Sequence, residues 1–379
     1  MSLRRRHAAI GTVGVLLGIA GLLAEAGAAS LGELVAKAKK EQAVSVTVTS
    51  SMTGRTTPKL AAAFKKRFGL DNVRVTITPV LNTTNYPKEI TATKAGTVPT
   101  YDAIEGSDMN NVQLLGVGGV QKIDGWEALL AEINPLVKSD KADHRDISPG
   151  PLAGYAFGYL TRVKALHYNP KLISIDNLPK THKELGDPKY QGKWVHPPWT
   201  SHWDIGPFVF PEIGREKWLD VVRKAGQNAG AVLQEQAGVQ RVLLGEFSFA
   251  LANEYYYFAA KAKDPTAPLG VAFFTDYNQG NGAYYIVRKG ARSPATATLF
   301  AVWMNSPEAA AIWQPDIFAS QHKWGESELD KKVRELIQRT NAKVVDLFES
   351  DKGREFLEWY GTGDGRGYRK RLSQAIRGQ

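Results

Sequence analysis

Val163-Lys-Ala-Leu-His-Tyr-Asn-Pro170 opens the stretch that decides the fold. Leu178-Pro179, Asp187-Pro188-Lys189, Gly192-Lys193-Trp194 and Pro197-Pro198-Trp199-Thr200-Ser201 carry it on. The run up to Tyr168 predicts a strand, and Asn169-Pro170 turns the chain. Thr181 and Glu184 have capping-box spacing, which starts a short helix near His182, and Pro188 and Gly192 stop it. A second strand around Val195 then ends in a polar loop at Thr200-Ser201.

Working outward, strands and helices keep alternating. Leu31 to Glu41 has helical spacing, and Val44–Thr49 alternates as a strand. The loop Ser50–Arg55 follows, then Thr57 as a helix cap with Pro58 at the first helical position. The strand Val73–Thr78 completes a βαβ unit, whose two strands should be parallel. A helix near Pro87–Ala95 leads to a strand at Tyr101–Glu105, to Gly106-Ser107-Asp108 and to another helix. Apolar periodicity lapses from Ser139 to Gly154, where Pro149-Gly150-Pro151 marks the expected crossing between two lobes. A helix near Arg215–Ala225 and the apolar run Val239–Leu251 lead to Asn253-Glu254-Tyr255-Tyr256-Tyr257. Val271–Phe274 and Ala283–Val287 read as strands around a loop at Tyr277–Gly282. The rest reads as helical, with Gly361–Gly367 as a flexible break.

The order of punctuators from Tyr168-Asn169-Pro170 through Gly192-Lys193-Trp194 resembles the extracellular solute-binding proteins that feed ABC importers. It is similar to the group that includes the ferric-ion binders. The resemblance implies an α/β, two-lobed periplasmic-binding fold of type II, with the ligand in the interlobe cleft. It assigns 29–140 and 284–320 to the first lobe and 141–283 to the second, with 321–379 as a C-terminal helical region packed on them. It also implies closure around a small-molecule or ion ligand, a membrane permease as partner, and no cofactor.

The amino terminus fits an exported protein. Arg4-Arg5-Arg6 precede the uncharged stretch Ala8–Ala24, and Ala26-Gly27-Ala28 offers a cleavage site, so residues 1–28 read as a signal peptide. The stretch is at the short limit for a membrane anchor and is broken by four glycines. The arginines also permit twin-arginine export. With no cysteine, the chain has neither a disulfide nor the lipid-bearing residue of a lipoprotein. The expectation is a soluble periplasmic monomer. Taking three arginines and Glu25 from 48 basic and 38 acidic residues leaves 45 and 37. That excess mildly favours an anionic ligand. Nucleic acid is not expected, because lysines and acids alternate along surfaces such as Glu326–Lys332.

Candidate ligand groups lie at strand ends, where parallel α/β sheets bind ligands. Ser50, Ser51 and Ser107 would come from the first lobe, and Trp199, Thr200 and Ser201 from the second. Each of these hydroxyls has a competing reading as a helix cap. Arg55 is a candidate for anion recognition, though the stronger reading is a solvated loop residue. Three successive tyrosines cannot all face one pocket, so Tyr255 and Tyr256 are assigned to the ligand and Tyr257, with Phe258, to the core. Asn253-Glu254-Tyr255-Tyr256 resembles the tyrosine pair of the ferric-ion binders. That makes the pair metal ligands if the cargo is ferric ion, since hard phenolate oxygen suits a hard cation. The first-lobe histidine and glutamate often found in those proteins have no counterpart in Ser50–Arg55 or at Ser107. A small organic or anionic solute is therefore the leading reading. His196, His202 and Asp204 form a weaker metal candidate. An exported hydrolase is the rival class, yet no nucleophile elbow, zinc motif or phosphate loop is present.

Overall fold

The computed structural model describes residues 30–379, and the signal-peptide reading of 1–28 lies outside them. Ten strands alternate with helices: β1 Ala43–Thr49, β2 Arg74–Val80, β3 Ala103–Ser107, β4 Ala156–Tyr168, β5 Trp194–His196, β6 Ala231–Val232, β7 Phe249–Asn253, β8 Gly270–Ala272, β9 Asn278–Val287 and β10 Val344–Asp346. They are joined in the order β2-β1-β3-β9-β4-β7-β5-β6, with β10 on β9 and β8 on β4. The expected βαβ unit is present, and β1 pairs with β2 in parallel. No described helix is long and apolar enough to cross a membrane.

At the breaker Pro149-Gly150-Pro151 the chain makes a short 3-10 turn over Gly150–Leu152, tied down where the Ser148 hydroxyl donates to the Ala156 carbonyl. The change of sheet partner falls later, inside β4. Its first part pairs with β9 through Val163↔Gly280, and its second pairs with β7 from Lys164↔Asn253. One strand thus belongs to both halves of the sheet.

Three other expectations change. Tyr277–Gly282 is not a loop, because β9 begins at Asn278 and β10 pairs with it through Val344↔Asn278. Gly361–Gly367 is not a flexible break. The last helix, Gly363–Ala375, starts inside it, and the Thr362 hydroxyl accepts from the Gly365 N–H at 3.1 Å. A Cβ on Gly365 would lie 2.4 Å from the Trp359 carbonyl, so only glycine allows this approach. The helix expected from Thr57 spans Thr56–Phe68 with no side-chain cap at its N-cap residue, Arg55. The helix near His182 is a 3-10 turn over Lys183–Gly186. The Thr181 hydroxyl accepts from the Glu184 N–H as a box requires, but the Glu184 carboxylate accepts from the Thr181 hydroxyl and the Lys180 N–H rather than from the Thr181 N–H.

Two large apolar clusters hold the fold, the first within the first half and the second reaching from the second half to Ile104 and Ile286 of the first. Val44, Val46 and Val48 of β1 meet Leu60, Phe64, Phe300, Trp303 and Trp313 in the first. Trp194, Trp203, Trp218 and Phe249 anchor the second, which extends to Phe356 and Leu372 of the C-terminal helices. Burying aromatic rings of this size is the main favourable contribution to the fold, about 25 cal/mol for each Å² of apolar surface.

Candidate functional site

Ser50 and Ser51 lie exposed just past the end of β1, and exposed Arg55 follows in the same loop. The neighbouring helix start is held by Asp316, whose carboxylate accepts from Thr53 N–H at 2.7 Å and from the Thr56 hydroxyl at 2.7 Å. Ser107 ends β3 and caps the helix Asp108–Gly116. Its hydroxyl donates to Asn110 Oδ1 at 2.7 Å and accepts from the Asn110 N–H, so it is already engaged.

Trp199, Thr200 and Ser201 are half-buried in the turn after β5. The Trp199 indole N–H donates to Glu235 Oε1 at 3.2 Å, and the Thr200 hydroxyl donates to Asp204 Oδ2 at 3.2 Å. With its amide turned to donate, Gln279 of β9 bridges the Ser201 carbonyl at 2.7 Å and Asp204 Oδ1 at 3.0 Å. The loop is therefore fastened to β9 near the crossing.

Tyr255 and Tyr256 open the helix Tyr255–Lys263 directly after β7, their ring centroids 4.3 Å apart. Each is half-buried, and they point to different neighbours. Tyr255 packs against the first half's apolar cluster, whereas Tyr256 packs with Val239, Val242 and Leu269 of the second. Burial pushes the Tyr255 phenol up to about 12, with Glu235 adding to the rise and Arg162 opposing it. Tyr256 is raised further, first by burial and then by Tyr255. Tyr257 is half-buried over Phe258 rather than in the core, and no residue of this helix is fully buried.

His196, His202 and Asp204 do not converge. His196 Nδ1 lies 3.0 Å from the Pro197 carbonyl, and His202 Nε2 lies 3.5 Å from Glu235. Among the described residues, no three His, Cys, Asp or Glu side chains are grouped to hold a metal ion.

Four residues that the sequence reading passed over lie where the halves meet. Arg162 and Lys164 sit two apart on β4 and therefore share a face. Lys164 Nζ meets Glu235 at 3.0 Å, and both are buried. Burial alone would raise the Glu235 carboxyl, but Lys164 and His202 outweigh it and hold the group well below the carboxylate range. Buried Glu254 accepts from the Val163 N–H at 2.6 Å, while its own N–H donates to the Val163 carbonyl at 3.0 Å. Charged residues two apart in a strand otherwise buried nearly throughout were the available signal.

The titrating groups give the fold a pH optimum. Burial keeps His167 and His196 down at about 4 and His202 and His322 at about 3. The unfolded chain takes up protons at these histidines below about pH 6.5, so their stability is present above that pH and lost as it falls. Burial also pushes Asp108, Asp204 and Glu254 up to about 7. Unfolded carboxyls release their protons near pH 4, so this contribution is lost as pH rises from about 4 to 7. A maximum in melting temperature near pH 6 is expected. A melting temperature that climbs steadily from pH 5 to 8 would contradict these assignments.

Comparisons with known proteins agree with this geometry. Residues 59–317, well over half of the chain, match the family model described as bacterial extracellular solute-binding protein. No curated protein matches the sequence significantly. Iron-bound HitA from Pseudomonas aeruginosa superposes with a TM-score of 0.60 at 20% identity, over 76% of this chain and 92% of that one. AgtB from Agrobacterium tumefaciens R10, in complex with agropinic acid, gives 0.60 at 15% identity, over 88% and 98%. The substrate-binding protein of an ABC transporter from Agrobacterium tumefaciens gives 0.62 at 18% identity, over 89% and 95%. These neighbours share the two-lobed periplasmic binding fold, with β4 in this chain pairing in both halves of the sheet. The chain belongs to the bacterial extracellular solute-binding proteins, the solute-capturing components of ABC transporters.

Proposed function

We propose that the cleft between the halves captures a small organic or anionic solute in the periplasm and delivers it to a membrane permease. The observation that carries this reading is Tyr255, which belongs to the second half yet packs on the cluster of the first. A ligand beside it touches both halves, and closure requires such a ligand to bind the closed state better than the open one. On this reading the first lobe runs into the first part of β4, the second begins with Lys164, and β9 returns the chain. Ser50, Ser51, Thr200 and Ser201 would line the rim. Ser107, already engaged as a cap, would contribute backbone. The protein would act as a monomer without catalysis and without binding nucleic acid.

Ferric ion is the second reading, favoured by the tyrosine pair and by the iron bound in HitA. Against it, the loop Ser50–Arg55 carries no histidine, and Ser107 stands where the iron binders often carry a glutamate. Adding ferric citrate to the purified protein is therefore expected to produce no tyrosinate-to-iron absorption band. A visible band that Tyr255→Phe abolishes would establish the iron reading instead.

A further inference from the structure

Arg162 sits where β4 exchanges one half of the sheet for the other, opposite Asn281 of β9 and two residues before Lys164. It is half-buried, its Nε is buried without a partner, and among the described residues it makes no hydrogen bond and no ion pair. Three other buried or largely buried cations behave differently. Lys164 holds Glu235, Arg288 holds Glu89, and Lys323 holds Asp346. None of the described carboxylates whose charge reaches Arg162 hydrogen-bonds to it, although Glu105 and Glu254 each keep one buried oxygen without a partner. Glu105 Oε2 accepts from the Asn82 amide at 2.8 Å, and Glu235 is committed to Lys164. A guanidinium withdrawn from water without a partner is costly, and five N–H donors in a planar fork match a carboxylate or phosphate.

The surroundings complete the case. Tyr255 is electrostatically coupled to Arg162 from the second half, and its raised phenol stays a neutral donor at physiological pH. Glu254, immediately before Tyr255, binds both backbone groups of Val163, immediately after Arg162. That double bond fixes the arginine and the tyrosine relative to each other.

We propose that Arg162 anchors a carboxylate, phosphonate or phosphate group of the solute, with Tyr255 donating to the same group from the facing lobe. The proposal rests on the cleft being the solute site, and it narrows the solute to molecules bearing an oxyanion. Glu254 is then a positioning residue that holds the two donors in register.

The test is calorimetry and thermal shift on the mature protein with inorganic phosphate, methylphosphonate, citrate, glucose and ferric chloride. Wild type is compared with Arg162→Gln and Arg162→Lys. At least one of the three anions should stabilise the wild type, and Arg162→Gln should weaken that binding on the order of 100-fold. Arg162→Lys should fall between, since it keeps the charge and loses the fork. The ligand-free melting temperature of each variant is measured alongside, to separate lost affinity from lost folding. Equal anion binding by wild type and Arg162→Gln would overturn the anchor. So would a lowered ligand-free melting temperature with affinity unchanged, or no response to any of the anions. Binding of glucose alone would overturn the anchor while leaving the cleft as the solute site. Stabilisation by ferric salts alone would overturn both.

Discussion

Lys164→Met is expected to lower the unfolding free energy by roughly 3–5 kcal/mol, the usual cost of removing one partner from a buried ion pair. Lys164 and Glu235 are buried 3.0 Å apart, and Glu235 also accepts from the Trp199 indole and the Asn253 amide. Without the ammonium, the carboxylate keeps its desolvation cost and loses its counter-charge. It must then protonate or drag water into the junction. The double variant Lys164→Met/Glu235→Gln removes the stranded charge and should recover most of the loss, a non-additivity that two contacting residues should show. Urea denaturation of the four proteins measures the cycle. A single variant as stable as wild type would mean that the pair contributes nothing to holding β4 against the helix Glu235–Leu243.

Tyr255→Ala is expected to weaken solute binding by roughly 100- to 1,000-fold, the range of a buried aromatic anchor at the centre of an interface. Among the half-buried residues packed on the first half's cluster, Tyr255 is the one contributed by the chain between Lys164 and Tyr277. Truncating it removes apolar contact with one lobe and a hydroxyl donor to the ligand together. Tyr255→Phe separates the two, keeping the packing and losing the donor. Tyr256→Ala should cost less, because that ring packs within its own half and edge-on to His167. Titration of the three variants with the stabilising anion checks the order. Equal losses for Tyr255→Ala and Tyr256→Ala would remove the asymmetry on which the cleft is built.

Local patterns made much of the fold legible. The β1-helix-β2 unit and the helices after Pro294 and Ser306 follow from periodicity and caps that act within a few residues. Features that depend on distant partners were hidden. Asn278–Gly280 reads as a turn until β10, far along the chain, pairs with it. The glycines from 361 to 367 read as flexible because the carbonyl that requires Gly365 belongs to the preceding helix. Tyr255 and Tyr256 were singled out from residue type and position, and both lie half-buried just after a strand end. Nothing in the sequence singled out Arg162, although it stands one residue before the stretch read as deciding the fold. A cation in a strand looks like an edge position until the strand proves to be buried on both sides. Ser107 shows both of its readings meeting at one residue, because the hydroxyl at the strand end caps its own helix.

Hydrogen–deuterium exchange with and without the most stabilising anion tests the central claim most directly. If the solute is held between the halves, exchange should slow together at the middle of β4 around Arg162–Lys164, in the turn Trp199–Trp203 and at the start of the Tyr255–Lys263 helix. The loop Ser50–Arg55 across the cleft should slow with them. Protection confined to one half, or spread over surfaces away from β4, would contradict capture in the cleft.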